Sequence, residues 1–160
     1  LGPIRWVYGE FVRLLAALER SLLPARPRIL IVDDEEDSRR ILQEHLADEP
    51  VEVRTAANGH EALAALETFP PDLILLDLIM PKMDGISFLD ALRTDPRYQH
   101  LKVVIVSSKE LSQAEMDALR RQTLEIVRKT EVSEENFKRL LQRVLNTQAV
   151  DERRKLDGTG

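Results

Sequence analysis

An α/β fold, with a parallel five-stranded sheet covered by helices on both faces, is what the 160-residue sequence predicts. Three observations point to it. Three short, uninterrupted apolar runs, Ile29-Leu30-Ile31-Val32, Leu73-Ile74-Leu75-Leu76 and Val103-Val104-Ile105-Val106, read as strands buried on both faces. Segments of helical periodicity with capping and stop signals lie between them. Two further runs, Val51-Glu52-Val53-Arg54-Thr55 and Leu124-Glu125-Ile126-Val127-Arg128, are mixed in character and suit the sheet edges. Strands that alternate with helices imply parallel crossovers. Placing the apolar runs centrally gives the order 2-1-3-4-5, a flavodoxin-like doubly wound sheet.

Composition is consistent with this and removes several function classes. Charged residues make up 32% and apolar ones 43% of the chain, a balance for a soluble globular protein of one domain plus some extra. The absence of cysteine excludes a disulfide framework, thiolate metal sites and a cysteine nucleophile. No run approaches the roughly 18 to 20 apolar residues of a membrane span, and no signal-peptide pattern opens the chain, so no membrane partner and a cytoplasmic location are expected. The formal charge of -5, with basic residues scattered, argues against direct nucleic-acid binding. Leu1 in place of methionine reads as a fragment or a processed form.

In chain order, Ile4, Tyr8, Phe11, Leu15, Leu18 and Leu22 are spaced four and three alternately, as in a coiled-coil seam, and Val7, Val12, Leu14 and Leu23 widen the stripe. This predicts an amphipathic helix whose stripe needs a cover, either its own or a preceding domain or a second copy in a homodimer. Pro24 and Pro27 mark a linker, so residues 1–26 form one segment. After the first strand, residues 38–47 form a helix with Ile41, Leu42 and Leu46 inward. Asn58 and Glu61 form a capping box ahead of Ala62, Leu63, Leu66 and Phe69, and Pro70-Pro71 stop that helix. Ile86, Leu89 and Leu92 mark a helix over 86–93.

Ser112 and Glu115 cap a helix whose apolar face, Met116 and Leu119, is thin and should be less firmly held. Ser133 begins a last helix that buries Phe137, Leu140, Leu141, Val144 and Leu145. The core domain is thus 27–147. Residues 148–160 are expected to be a polar tail without periodicity.

In such a sheet ligands bind beyond the carboxyl ends of the strands. Those ends carry Asp33 and Asp34, Asp77, Ser107 and Lys129. Carboxylates about 4 Å apart repel by roughly 4 kcal/mol at an effective dielectric of 20, so a divalent cation is the natural remedy. All-oxygen ligands favour Mg2+. A carboxylate beside that ion can attack a phosphoryl group and become an aspartyl phosphate. Asp77, on the central strand, is best placed as nucleophile. Asp33 and Asp34 would hold the metal, and Lys129 and Ser107 would contact the phosphoryl oxygens.

Residues 28–146 resemble the receiver domain of two-component response regulators. The resemblance rests on Val32-Asp33-Asp34-Glu35, the D-x-x-M-P-x-M-D-G stretch of Asp77 to Gly85, Ser107 where the family has Thr or Ser, and Lys129. It implies Asp77 as phosphoacceptor, Asp33, Asp34 and the backbone carbonyl of Ile79 as magnesium ligands, and a histidine kinase or histidine phosphotransfer protein as donor. It also implies output through a downstream partner or an attached domain, with no independent enzymatic turnover. Ile126 stands where the family has an aromatic residue and Thr130 where it has proline. The resemblance therefore carries the phosphorylation chemistry and not the usual output switch. The Lys-Thr-Glu-Val-Ser-Glu-Glu ending is also similar to receivers at the ends of hybrid histidine kinases.

Two alternatives come from other classes. A haloacid-dehalogenase-like phosphatase would use Asp33 as nucleophile with Glu35 two residues on. An interaction module would signal chiefly through the amino-terminal helix. His45, His60 and His100 have no metal-ligand spacing and read as surface or partly buried residues. Met80 and Met83 are expected to pack under the loop after Asp77, Lys82 and Lys109 to be solvated, and Asp84-Gly85 to form a turn.

Overall fold

Five parallel strands run side by side in the order β2-β1-β3-β4-β5, as the strand character predicts. They are β1 (Arg28–Val32), β2 (Glu52–Ala56), β3 (Leu73–Leu76), β4 (Lys102–Ser107) and β5 (Glu125–Arg128). The helices are α1 (Gly2–Leu22), α2 (Glu36–Leu46), α3 (Gly59–Thr68), α4 (Gly85–Thr94), α5 (Gln113–Arg120) and α6 (Glu134–Asp157), and a single 3-10 turn, Lys129–Glu131, follows β5. This computed structural model describes residues 2–22 and 26–157, with side chains described over 7–18 and 26–145.

Alternation along the strands divides the core in two. Leu30, Val32, Ile74, Leu76, Val103 and Ile105 pack with α3, α4 and α5 around Phe88. Ile29, Ile31, Leu73, Leu75, Val104 and Val106 pack on the other face with α2 and α6 around Phe137. Because β3 is buried at all four positions, it needs apolar side chains on both faces, which is why its sequence does not alternate. Edge strand β2 is exposed at Glu52, Arg54 and Thr55, in keeping with its mixed sequence.

Caps set the helix starts. Asn58 accepts from the Glu61 amide, while the Glu61 carboxylate takes the Ala57 amide. Ser112 and Glu115 form a complete capping box. Ser133 Oγ accepts from the Asn136 amide at 3.2 Å. Asp84, read above as part of a turn, is the N-cap of α4 and accepts from the Ser87 amide at 2.8 Å. Hydrogen bonds with Ser87 hold its carboxyl below the usual carboxylate range.

Several expectations change. Helix α2 starts at Glu36, two residues early, with Glu36 and Asp37 complementing the dipole of its first turn. Ile41 faces solvent at 47% exposure instead of entering the core, while Leu42 and Leu46 do the packing. The expected aperiodic tail is helical as far as Asp157. Residues 148–157 contain neither Gly nor Pro and are rich in good helix formers, so propensity extends the helix where no apolar stripe marks it. Leu23, Pro24 and residues 158–160 lie outside the described residues, as do the side chains of Ile4 and Leu22. Helix α5 does have a thin face: Leu119 is buried and Met116 only half-buried. His45 is half-buried against Phe137, their ring centroids 5.9 Å apart, whereas His60 and His100 are exposed.

Candidate functional site

Register brings the strand-end residues together. Val32 pairs with Leu76, so Asp33 and Asp77, one residue further on, leave the sheet side by side. The Asp77 amide still donates to Val32 O at 2.8 Å and the Asp33 amide to Ala56 O at 3.1 Å, which fixes both backbones before their side chains turn out. Ser107 pairs with Arg128, and Lys129 follows directly. The sheet thus delivers two acids, a hydroxyl and an ammonium to one mouth. The first turn of α2 roofs it.

Asp77 is 3% exposed, Asp33 2% and Ser107 3%, whereas Asp34 is exposed. Asp77 Oδ1 accepts from Ser107 Oγ at 3.1 Å and from the Ile79 amide at 3.3 Å. Its Oδ2 lies 3.4 Å from Lys129 Nζ. The ammonium sits closer to Asp33, at 2.8 Å from Oδ2, and Asp33 Oδ1 accepts from the Glu35 amide at 2.9 Å. One oxygen from each of Asp33, Asp34 and Asp77 lies within 4.8 Å of the others.

Electrostatics explain what this does to the groups. Burial, then the charge of Asp33, push the Asp77 carboxyl above its ordinary value, against the opposing pull of Lys129, the Ile79 amide and Ser107. Burial alone would lower the Lys129 ammonium, but its hydrogen bond to Asp33 and the charges of Asp77, Asp33 and Glu35 outweigh that and raise it. The mouth is therefore short of positive charge. Its donors are all oxygens, and a hard divalent cation fits them where a soft one would not.

The loop after Asp77 is shaped by close backbone approach. The Gly85 amide donates to Leu78 O at 3.1 Å, and a Cβ on Gly85 would lie 2.6 Å from Leu78 Cα and collide with the Asp77 carbonyl. Only glycine lets α4 start this near the acid. Lys82 takes φ of 65°, the left-handed conformation, at the loop tip. Met80 is buried and Met83 half-buried under the loop, with Met83 filling the space a Cβ on Gly59 would need. Lys109 is not free in solvent: it lies 3.4 Å from Glu115.

Comparison with known proteins decides the family. The profile of the response regulator receiver domain matches residues 29–144. The chain belongs to the response regulator receiver domain family. The receiver is 44% identical over 81 residues to response regulator PleD of Caulobacter vibrioides, covering 51% of this chain and 18% of that protein. To the alkaline phosphatase synthesis transcriptional regulatory protein PhoP of Bacillus subtilis it is 48% identical over 66 residues, covering 41% of this chain and 28% of that one. In structure it is similar to chemotaxis protein CheY4 of Vibrio cholerae, with a TM-score of 0.67, 29% identity and coverage of 75% of this chain and 99% of that one. The chain spans about a fifth to three tenths of the length of these two curated relatives. Receiver domains of this family serve two-component signalling, and the acidic cluster here is compatible with magnesium.

Asp33, Asp34, Asp77, Ser107 and Lys129 are brought together as the sequence suggests. Ile79 meets the site through its amide, and its side chain is 52% exposed. Sequence reasoning missed Ser38 and Arg39. Arg39 Nη1 donates to the Asp33 carbonyl at 2.7 Å, and Ser38 Oγ accepts from Lys129 Nζ at 3.3 Å. The available signal was their place in the helical turn straight after the acid pair. No helix among the described residues is long and apolar enough to cross a membrane.

Proposed function

We propose that this receiver accepts a phosphoryl group on Asp77 from the phosphohistidine of a histidine kinase or a histidine phosphotransfer protein. The observation that carries the reading is the difference between the two buried acids. Both oxygens of Asp33 are engaged at 2.9 Å or less, by the Glu35 amide and Lys129. Asp77 Oδ2 has only a long contact with Lys129, at 3.4 Å. That oxygen is the most loosely held of the four and so the one available to attack, which also argues against Asp33 as the nucleophile of a phosphatase.

In the step, Asp77 Oδ2 forms a bond to phosphorus as the phosphorus–nitrogen bond of the donor breaks and the imidazole leaves. Ser107 and the Ile79 amide hold Oδ1, which restrains rotation of the carboxylate. Lys129 moves its charge from the acids to the new phosphoryl oxygens. Asp33, Asp34, Asp77 and the Ile79 carbonyl would hold Mg2+, which would supply the positive charge that the acids and an arriving phosphoryl group need. Water attack on phosphorus later restores the carboxylate and releases phosphate, with no turnover of other substrates by this domain. We assign the receiver to residues 27–147, with 1–26 as helix and linker and 148–160 as an extension beyond it. Output passes to a cytoplasmic protein partner or an attached domain.

Incubation with acetyl phosphate and magnesium, followed by intact-protein mass spectrometry, tests the assignment. One added phosphoryl group is expected in the wild type and none in Asp77→Asn. Persistence of the gain in that variant would overturn it.

A second copy is a further proposed partner. On α1, Val7, Tyr8, Phe11, Leu14 and Leu15 are between 43% and 70% exposed, an apolar stripe in coiled-coil spacing that a homodimer would cover. Light scattering of the chain with and without residues 1–26 should give a dimer and a monomer. A monomer in both cases removes the idea.

A further inference from the structure

An ammonium carries three N–H groups, and Lys129 has an acceptor for each. Two are the site acids: Asp33 Oδ2 at 2.8 Å and Asp77 Oδ2 at 3.4 Å. The third is Ser38 Oγ at 3.3 Å, from a residue 91 positions away in the sequence. Ser38 is itself oriented, because its hydroxyl donates to Glu35 Oε2 at 3.0 Å. Its proton is directed to Glu35, which leaves its lone pairs for the ammonium. The half-buried serine comes from the first turn of α2, the acids from the ends of β1 and β3, and the lysine from the turn after β5.

We propose that Ser38 is a positioning residue for phosphoryl transfer: its hydroxyl, aligned by Glu35, fixes the Lys129 ammonium between Asp33 and Asp77. Lysine has a long flexible stem and a charge without directional preference, so two acids alone leave its head free to slide towards the nearer one. Asp33 is already that nearer acid. A third acceptor outside the pair holds the ammonium at a point from which it reaches Asp77 and the oxygens of an arriving phosphoryl group. Glu35 adds a negative charge behind the serine and strengthens the bond it accepts. The inference rests on the assignment of Lys129 to the phosphoryl oxygens, and its test separates the two.

The rate of phosphoryl gain from acetyl phosphate at saturating magnesium is compared in the wild type, Ser38→Ala, Ser38→Thr and Lys129→Ala. In parallel, the Lys129 ammonium signal is followed in 15N-labelled protein and thermal unfolding is recorded. Alanine is well tolerated in a helix, so the fold should keep its midpoint. Ser38→Ala is expected to slow phosphorylation about three- to tenfold, the worth of roughly one hydrogen bond, and to broaden or shift the Lys129 signal. Ser38→Thr, which keeps the hydroxyl, should restore both.

A wild-type rate in Ser38→Ala while Lys129→Ala is impaired overturns the role of Ser38 and leaves that of Lys129. A slow Ser38→Ala that threonine does not rescue, with the Lys129 signal unmoved, assigns the effect to packing and also overturns it. If Lys129→Ala itself is phosphorylated at the wild-type rate, the reading of Lys129 fails first and the role of Ser38 falls with it.

Discussion

The two ends of the sheet treat buried charge in opposite ways. Near the amino-terminal ends of β4 and β5, Arg93 of α4 donates to three carbonyls: Gln99 O at 2.9 Å, Leu101 O at 2.8 Å and Gln122 O at 2.6 and 3.2 Å. Those bonds tie the connection before β4 to the turn after α5, and the planar fork of guanidinium suits them. Burial lowers the Arg93 pKa, and its partners are neutral dipoles with no competing claim. At the carboxyl ends, Asp33 and Asp77 share one ammonium and repel each other. Among the described residues no buried side-chain polar atom lacks a hydrogen-bond partner, so the contrast is not one of missing bonds. At one end a single charge meets neutral dipoles; at the other, like charges face each other across one ammonium, and both ends are satisfied in hydrogen bonds. A charge surplus held in a satisfied frame is what a site needs if a cation and a phosphoryl group are to be accepted there without rebuilding the frame.

Removing the lysine should give the largest effect. Lys129→Met leaves two buried carboxylates facing each other, and without divalent cation the fold should lose about 3 kcal/mol, the low end for breaking a buried ion pair. The side chain is 18% exposed, which is why the low end applies. Urea unfolding in chelator, repeated with magnesium, measures it; magnesium should recover part of the loss in the variant. An equal loss in both buffers would mean that the lysine acts by packing and not by charge. At the other end, Arg93→Ala should cost about 2 kcal/mol by leaving three carbonyls to water or to nothing. Magnesium should make no difference to that cost. A magnesium-dependent Arg93→Ala would show that the two ends are coupled, and the contrast would fail.

The same contrast explains which features are legible in the sequence. Sheet order was legible because burial on both faces forces a run of four apolar residues in each of β1, β3 and β4, while Glu52, Arg54 and Glu125 mark edges. The site was legible because Asp33, Asp77 and Lys129 each follow a strand directly and Ser107 ends one, and parallel register aligns strand ends whatever the helices do. Ser38 was not, since its role depends on how far the first turn of α2 reaches over the mouth. Arg93 was not, because its partners are backbone carbonyls, which every residue has. Ile41 misled for a related reason: neighbouring apolar residues on a helix cannot all face one sheet, and Leu42 and Leu46 took the inward positions. The length of α6 beyond residue 147 escaped because propensity, without a stripe, leaves no periodic signal.

The smallest predicted effect isolates the surplus charge itself. The Asp77 carboxyl is raised above its ordinary value of 3.8, chiefly by burial and next by Asp33. The folded state therefore binds that proton more tightly than the unfolded chain does. The stability this contributes is fully present below the unfolded value and is lost as pH rises through the folded one, so at neutral pH the ionised carboxylate lowers stability. Asp77→Asn keeps an oxygen for Ser107 and the Ile79 amide and discards the charge. In chelator at neutral pH it should be more stable than the wild type by about 1 kcal/mol, inside the range of a single stabilising substitution. The gain should shrink as pH falls towards 3.8, where the wild-type carboxyl becomes neutral too. Thermal midpoints across that range decide it. A variant less stable than the wild type at neutral pH would mean that the attraction to Lys129 outweighs burial and Asp33, and that this end of the sheet, like the other, holds its charge without net repulsion.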